Sequence, residues 1–352
     1  MATSKPAQSL SKASARSGAF LSLYAPTAEN LDFLADVLRN GGLVALPSET
    51  VYGLAADATN PEACRAIFAL KKRPYFDPLI VHVADLAQAT EYAVFNPVAQ
   101  QLAAAFWPGP LTIVLPRTSL VPDEVTSGLP TVALRSPAHP LFREILFRVK
   151  RGLAAPSANP FGYISPTDAH HVEDSFGSRL SYILNGGPCS IGVESTIVDA
   201  SDPAQLTILR EGGISKAELE SLVAAHQLAT TVVARDANDQ PKAGQPAIAP
   251  GLLKRHYSPR KSLKLYPNGA LPDPDQYPRV AFVFHQQPTN AGANVFALSE
   301  DGSGIEAARR LYATLRALDT GDWTDIFAEL PPLGCALGEA LADRLGRAAA
   351  QD

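Results

Sequence analysis

P-S-E-T-V-Y-G-L (47–54), followed by K-K-R-P-Y-F-D-P-L-I-V-H (71–82), is the stretch on which the fold turns. Just before it, Leu31, Leu34, Val37 and Leu38 fall at helical spacing across residues 27–40, and Gly41-Gly42 stops that helix. The apolar run Leu43 to Leu46 then reads as a buried strand ending at Pro47. Ile67 and Phe68 sit on the apolar face of a second helix, which runs into Lys71-Lys72-Arg73 and is ended by Pro74. Residues 79–83 form the next strand. Working outward, a helix near 98–106 leads through W-P-G-P (107–110), a rigid turn, into a strand at 111–115. Further strands are expected at 132–134, 152–155, 182–184, 196–198 and 206–209, with a helix at 141–149 between two of them. Several connections are too short for a helical crossover, so the expectation is an α/β fold: a twisted mixed sheet with flanking helices.

The chain has 352 residues, 46% of them hydrophobic and 18% charged, a globular composition with room for two domains. Its apolar runs fall well short of a membrane span. Residues 1–20 are rich in Ser, Ala and Lys without the apolar core of a secretory signal, and read as a disordered leader. Three cysteines, Cys64, Cys189 and Cys335, form no CxxC pair, which argues against a zinc finger or disulfide framework and fits the reducing cytoplasm. A net charge of −5 excludes a wholly basic nucleic-acid binder but leaves room for a local basic groove.

After a helix at 216–226 the periodicity fades. Residues 229–260 read as a linker, its Asp, Asn, Gln, Pro and Gly concentrated from 235 onward. Residues 261–352 then form a second unit. Strands at 263–266, 280–284 and 294–298 are followed by a helix carrying Ile305, Ala308, Leu311, Tyr312, Leu315 and Leu318 and by a last helix with Leu337, Leu341 and Leu345, a small Rossmann-like α/β domain. G-S-G-I-E-A (302–307) matches G-x-G-x-x-A before a helix, a weak sign of a dinucleotide site.

Small hydroxyl residues and glycines at strand ends, with a Lys/Arg cluster nearby, suit a polyphosphate, which needs many donors and little bulk. Lys71, Lys72 and Arg73 serve equally as charges favouring a helix C-terminus or as an anion site, and Arg73 beside Pro74 tilts toward the anion. His82 reads as a core histidine or as a side chain turned toward the same cavity. Arg135 reads as a surface charge or as a fork for a carboxylate. Ser157 and Ser165 bracket a Pro/Gly loop as turn formers or as phosphate donors. Glu194, Ser195, Thr196 and Asp199 mark the next strand, where Asp199 fits a turn cap equally well. There is no P-loop and no G-x-S-x-G elbow.

Together with W-P-G-P-L-T (107–112), R-S-P-A-H-P (135–140), A-P-S-A-N-P-F-G-Y-I-S-P-T (155–167), G-V-E-S-T-I-V-D (192–199) and L-R-E-G (209–212), these motifs resemble the threonylcarbamoyl-AMP synthase family of the YrdC-like fold. P-G-L-L-K-R-H-Y-S-P-R (250–260) and A-L-G-E-A-L-A-D-R-L (336–345) resemble the linker and last helix of its long form, which carries an extra C-terminal domain. The resemblance implies a leader at 1–20, a YrdC-like catalytic domain at 21–228, a linker and lid at 229–260, and a Rossmann-like domain at 261–352.

It further implies synthesis of threonylcarbamoyl-adenylate from L-threonine, bicarbonate or CO2 and ATP with Mg2+, releasing pyrophosphate. A threonylcarbamoyl transferase complex acting on tRNA would consume the product. Thr50, His82, Arg135, Ser195 and the backbone at Ala155 would line the threonine site. Lys71, Arg73, Thr131, Ser157, Ser165 and Arg210 would bind ATP, Lys71 and Arg73 taking the catalytic charge, and Tyr257 would close over the nucleotide. Asp77 stands where the family commonly has Asn or Ser, and would either help hold Mg2+ or turn away. Carbamoyl-adenylate formation and an RNA-binding module are the alternatives. The first would be expected to add zinc-finger cysteines, and the second would weaken steeply with salt.

Overall fold

The computed structural model describes residues 22–235, 247–251, 256–289 and 292–350. The leader at 1–20 and, within the linker, residues 236–246 and 252–255 therefore lie outside the described residues. In the first domain the elements run β1 (Leu23–Tyr24), α1 (Ala28–Arg39), β2 (Val44–Leu46), β3 (Gly53–Asp57), α2 (Pro61–Lys71), β4 (Ile80–His82), α3 (Leu86–Tyr92), α4 (Pro97–Phe106) and β5 (Leu111–Pro116). They continue as α5 (Asp123–Thr126), β6 (Thr131–Arg135), α6 (Pro140–Val149), β7 (Leu153–Ala154), α7 (Ala169–Phe176), β8 (Ile183–Leu184), β9 (Thr196–Asp199), β10 (Gln205–Arg210), α8 (Lys216–Ala225) and β11 (Thr231–Ala234). The helices start where local chemistry satisfies their first N–H groups: Asn60 and Asn96 cap α2 and α4 ahead of a proline, and Ser215 forms a capping box with Glu218 on α8.

The eleven strands form one sheet in the order β1-β8-β2-β3-β7-β4-β6-β5-β9-β10-β11. Pairing is mixed: β4 runs parallel to β6, and β5 antiparallel to it. Strand alternation sorts the side chains onto two faces. Ala45, Leu54, Val81, Ile113 and Val198 join one core with residues of α2, α3, α4, α7 and α8. Val44, Leu46, Ala55 and Leu153 pack on the other face under α1 and α6. Beyond β7, Ile80, Val114, Ala133, Ile197 and Leu209 lie on that second face in a small cluster covered by Ala249 of the linker. This half of the face has the linker where the other half has helices, and the functional cleft opens there.

The linker is shorter than its composition suggested. β11 pairs in parallel with β10 over Thr231–Ala234, so the large sheet continues into the segment read as linker from 229. Four residues of mixed polarity following a turn carry too little pattern to mark a strand, and pairing to β10 supplies what propensity does not.

The second domain runs β12 (Ser262–Tyr266), β13 (Val280–Gln286), β14 (Val295–Ser299), α9 (Gly304–Thr320), β15 (Asp325–Glu329) and α10 (Gly338–Ala349). Its sheet, β12-β15-β13-β14, is parallel throughout, with α9 and α10 packed on it. The glycines of G-S-G-I-E-A serve packing: Gly302 has φ +87°, and a Cβ on Gly304 would overlap the Ala336 carbonyl. This core also takes in Val51, Ile164, Val193 and Tyr257, so the domain is seated on the cleft side of the large sheet.

Candidate active site

The turn after β2 is made by Ser48. Its Oγ accepts from the N–H groups of Thr50 (3.1 Å) and Val51 (3.2 Å), which swings Glu49 and Thr50 toward the open face. On that face His82 and Arg135 are register partners on parallel strands. Arg135 donates through Nη1 to Thr50 Oγ1 (2.9 Å) and through Nε to the Gly109 carbonyl (3.2 Å). Its Nη2 lies 2.6 Å from Glu49 Oε1, an ion pair whose geometry is not that of a hydrogen bond. Burial pushes Glu49 up, but Arg135 outweighs it and holds the carboxyl below its ordinary value. His82 stacks on Phe142 at 5.0 Å with Nδ1 unpartnered, and burial, then Arg135, takes it down to about 3, so it is neutral.

The second half of the site is built from cations. Lys71 ends α2 fully buried, its Nζ donating to the carbonyls of Ser157 and Asn159 at 2.6 Å each. Burial, then Arg73, pushes its pKa well down. Arg73 donates to the carbonyls of Asp77 (2.9 Å) and Pro78 (2.7 Å) and pairs with Asp77 Oδ2 at 2.9 Å. Arg210, at the end of β10, forks onto the Ser195 carbonyl through Nε (3.1 Å) and Nη2 (2.9 Å) and reaches the Pro250 carbonyl through Nη1 (3.4 Å). Ser195 Oγ shares a hydrogen bond with Thr112 Oγ1 at 2.7 Å.

These residues gather around one open cleft, whose empty space with the solvent at its mouth included is about 590 Å3. Thr50, Arg73, His82, Arg135, Ala155, Ser157, Ser195, Arg210 and Tyr257 line it, as the sequence reading grouped them. Lys71, Asp77 and Ser165 stand one contact behind that lining, bonded to Ser157, Arg73 and Glu194 respectively. Thr131 is not part of the lining; it shares a face with Arg135 but starts β6, four residues away along the strand. Asp77 faces Arg73, and although Arg73 draws it down, burial wins and raises its carboxyl. The linker closes one wall: Gly251, at φ +78°, admits no Cβ between Arg210 and Tyr257. Tyr257 is buried, with its ring 4.1 Å from that of His256 and its hydroxyl unpartnered.

Two contributors escaped the sequence reading. Glu49 is not among the candidates read from the sequence, since a carboxylate beside an arginine expected to fork onto a carboxylate runs against simple complementarity. The signal was there in principle: a buried arginine needs a counterion, and Glu49 adjoins Thr50. Glu194 was noted without a role. It lines the cavity and accepts from Ser165 Oγ (2.6 Å), Tyr312 Oη (2.9 Å) and Arg344 Nε (2.7 Å), the last two from the second domain.

The count of charges decides what the cleft can hold. Arg73 has Asp77, and Arg135 has Glu49. Among the described residues no carboxylate lies within ion-pair distance of Lys71 or Arg210, whose hydrogen bonds go to carbonyl and hydroxyl oxygens. Two buried cations without counterions, beside a neutral histidine and a forked arginine, define the class: an enzyme cleft suited to an anionic substrate. A family model described as telomere recombination matches residues 36–212, and one described as the C-terminal domain of threonylcarbamoyl-AMP synthase matches 214–350. A threonylcarbamoyl-AMP synthase of Bacillus subtilis is 35% identical over 90% of this chain and 91% of its own length. One of Pyrococcus abyssi is 42% identical, the alignment spanning 64% of each chain. The structure of P. abyssi Sua5 complexed with L-threonine superposes with a TM-score of 0.81 at 34% identity, covering 93% of this chain and 96% of that one. The chain belongs to the long-form Sua5/YrdC family of threonylcarbamoyl-AMP synthases, enzymes that transfer an AMP group.

Proposed function

We propose that this protein makes L-threonylcarbamoyl-adenylate from L-threonine, bicarbonate or CO2 and ATP, releasing pyrophosphate. The observation that carries the reading is the pair of buried cations without counterions, Arg210 in the cavity wall and Lys71 one contact behind it through Ser157, around the cavity that Arg135, Thr50 and His82 line. Arg135 is the fork for the threonine carboxylate, with Glu49 fixing its far side. The threonine nitrogen, once deprotonated, adds to CO2 to give a carbamate. A carbamate oxygen then attacks the α-phosphorus of ATP, the bond to the β-phosphate oxygen breaks, and pyrophosphate carries the electron pair away. Lys71, Arg73 and Arg210 offset the charge that builds on the phosphates, and the rate comes from positioning and electrostatics. The carbamate is unstable in water, so Tyr257 and His256 act by closing the cleft.

Magnesium enters with the substrate, as MgATP. The chain's carboxylates at the cleft are already committed, Asp77 to Arg73, Glu49 to Arg135 and Glu194 to Arg344, and no cluster of three or more His, Cys, Asp or Glu suited to a metal occurs among the described residues. The product is a reactive mixed anhydride, and we infer that a threonylcarbamoyl transferase complex uses it to modify adenosine in tRNA as N6-threonylcarbamoyladenosine. Three free cysteines, and no described helix long and apolar enough to cross a membrane, support placing this work in the cytoplasm.

The test is incorporation of 13C-bicarbonate into an adenylate, followed by mass spectrometry with ATP and L-threonine, and with L-serine as control. A labelled threonine-containing adenylate is the expected result. A labelled adenylate that forms only when 13C-carbamoyl phosphate replaces bicarbonate and threonine would move the protein to carbamoyl transfer.

A further inference from the structure

The second domain reaches the cleft through one side chain above all. Arg344 of α10 is fully buried; its Nε donates to Glu194 Oε2 (2.7 Å) and its Nη2 to the Glu211 carbonyl (2.8 Å). Its guanidinium also stands over the Tyr257 ring at 5.2 Å, a cation–π contact. Glu194 and Glu211 flank the residues that bear the cleft chemistry: Ser195 follows the first, and Arg210 precedes the second. Glu194 thus lies between two guanidinium groups. Arg344 binds it, with Tyr312 Oη on the same oxygen and Ser165 Oγ on the other, while Arg210 turns its fork to the Ser195 carbonyl. Burial pushes the Glu194 carboxyl up, but Arg344 and then Arg210 outweigh it and hold it at about 2, so it is a full negative charge that one of the two arginines must neutralise.

A cation that is to bind phosphate must not be quenched by the carboxylate nearest to it. We propose that Arg344 is a positioning residue that sequesters Glu194, leaving Arg210 free to bind the nucleotide's phosphates. The C-terminal domain is then coupled to nucleotide binding by charge, in addition to covering the cleft. The idea rests on the nucleotide reading given under Proposed function. It predicts that losing Arg344 turns Glu194 toward Arg210, and that removing the charge of Glu194 as well undoes the damage.

The experiment is calorimetric binding of MgATP, together with KM values for ATP and threonine, for the wild type, Arg344→Met and Glu194→Gln/Arg344→Met. Arg344→Met is expected to weaken MgATP binding by about tenfold, with a much smaller change in threonine KM, and the double variant to recover most of that loss. A merely structural role would lower the melting temperature of both variants and leave their ATP affinity alike. Wild-type ATP affinity in Arg344→Met, or a double variant no better than the single one, would overturn the proposal. Should Arg344→Met not fold, Arg344→Lys keeps the charge but loses the fork. Its comparison with Glu194→Gln/Arg344→Lys asks the same question, with recovery in the double variant again expected. Absence of MgATP binding by the wild type would instead strike the nucleotide reading itself, so the two failures are distinguishable.

Discussion

The two sheets of this protein treat their polar groups in opposite ways. In the first domain and the linker that closes it, Glu49, Asp77, His82, Asn159, His256 and Tyr257 each carry a buried side-chain polar atom with no hydrogen-bond partner. In the second domain no such atom occurs among the described residues. There Glu329 accepts from the backbone N–H groups of His285 and Gly269, and Ser299 Oγ accepts from those of Gly302 and Ser303. Each unsatisfied buried group costs on the order of 1–3 kcal/mol. Those of His82, His256 and Tyr257 line the cavity, where the fold gives up stability for binding, while Thr126, Ser127, Arg148 and Ser201 carry others outside that lining. The second domain is satisfied within itself, and it meets the first through Arg316, Tyr312 and Arg344, which donate to Ser165, Ile164 and Glu194.

If that contrast is right, cleft substitutions should cost activity, and substitutions within the second domain away from its contacts with the cleft, of which Arg344 is one, should cost stability. The largest effect is expected at the unpaired cations. Lys71→Met and Arg210→Met should each lower turnover on the order of 10²–10³-fold, read in a steady-state assay, because each removes fixed charge from the reacting phosphates. Loss of less than a few-fold would break the comparison on its cleft side. On the other side, Gly304→Ala should cost about 2 kcal/mol in denaturant unfolding, since its Cβ would overlap the Ala336 carbonyl, while threonine KM of the folded fraction stays put.

The contrast also explains what could be read from the sequence. Strands whose residues alternate or run apolar, such as β5 and β13, were legible from the chain alone. β3, Gly-Leu-Ala-Ala-Asp, was not: small residues have low strand propensity, and its burial against β2 and β7 is a tertiary fact. β15, Asp-Ile-Phe-Ala-Glu, escaped for a related reason, since a short strand central to a parallel sheet has no polar face to reveal it. The site divides similarly. Most of the candidate residues sit in dense motifs, and the fold brings them to one cavity, Thr131 excepted, whereas the counter-charges Glu49 and Arg344 are chosen by which side chains the fold brings together.

Two smaller effects sharpen the picture. Thr50→Val removes the hydroxyl that holds Arg135 at 2.9 Å. It should raise threonine KM by roughly tenfold while leaving ATP KM within twofold, a split that would locate the amino-acid half of the cleft. Glu211, at the domain junction, has its carboxyl raised from 4.5 to about 7 by burial, then by Glu339 and Asp343. Between those values the folded protein keeps a proton that the unfolded chain has released, so stability falls as pH rises through this window. Glu211→Gln should therefore raise the melting temperature by about 2 °C at pH 8 and leave it unchanged at pH 4, the gain kept small by solvent screening. An equal shift at both pH values would mean that the charge is not what matters there.

The most direct measurement is pyrophosphate release from ATP in bicarbonate buffer, with and without L-threonine. The account predicts release that depends on threonine, is far weaker with L-serine, and is lost in Lys71→Met. Release independent of any amino acid, or none under any of these conditions, would contradict the assignment of threonine and nucleotide to one cleft.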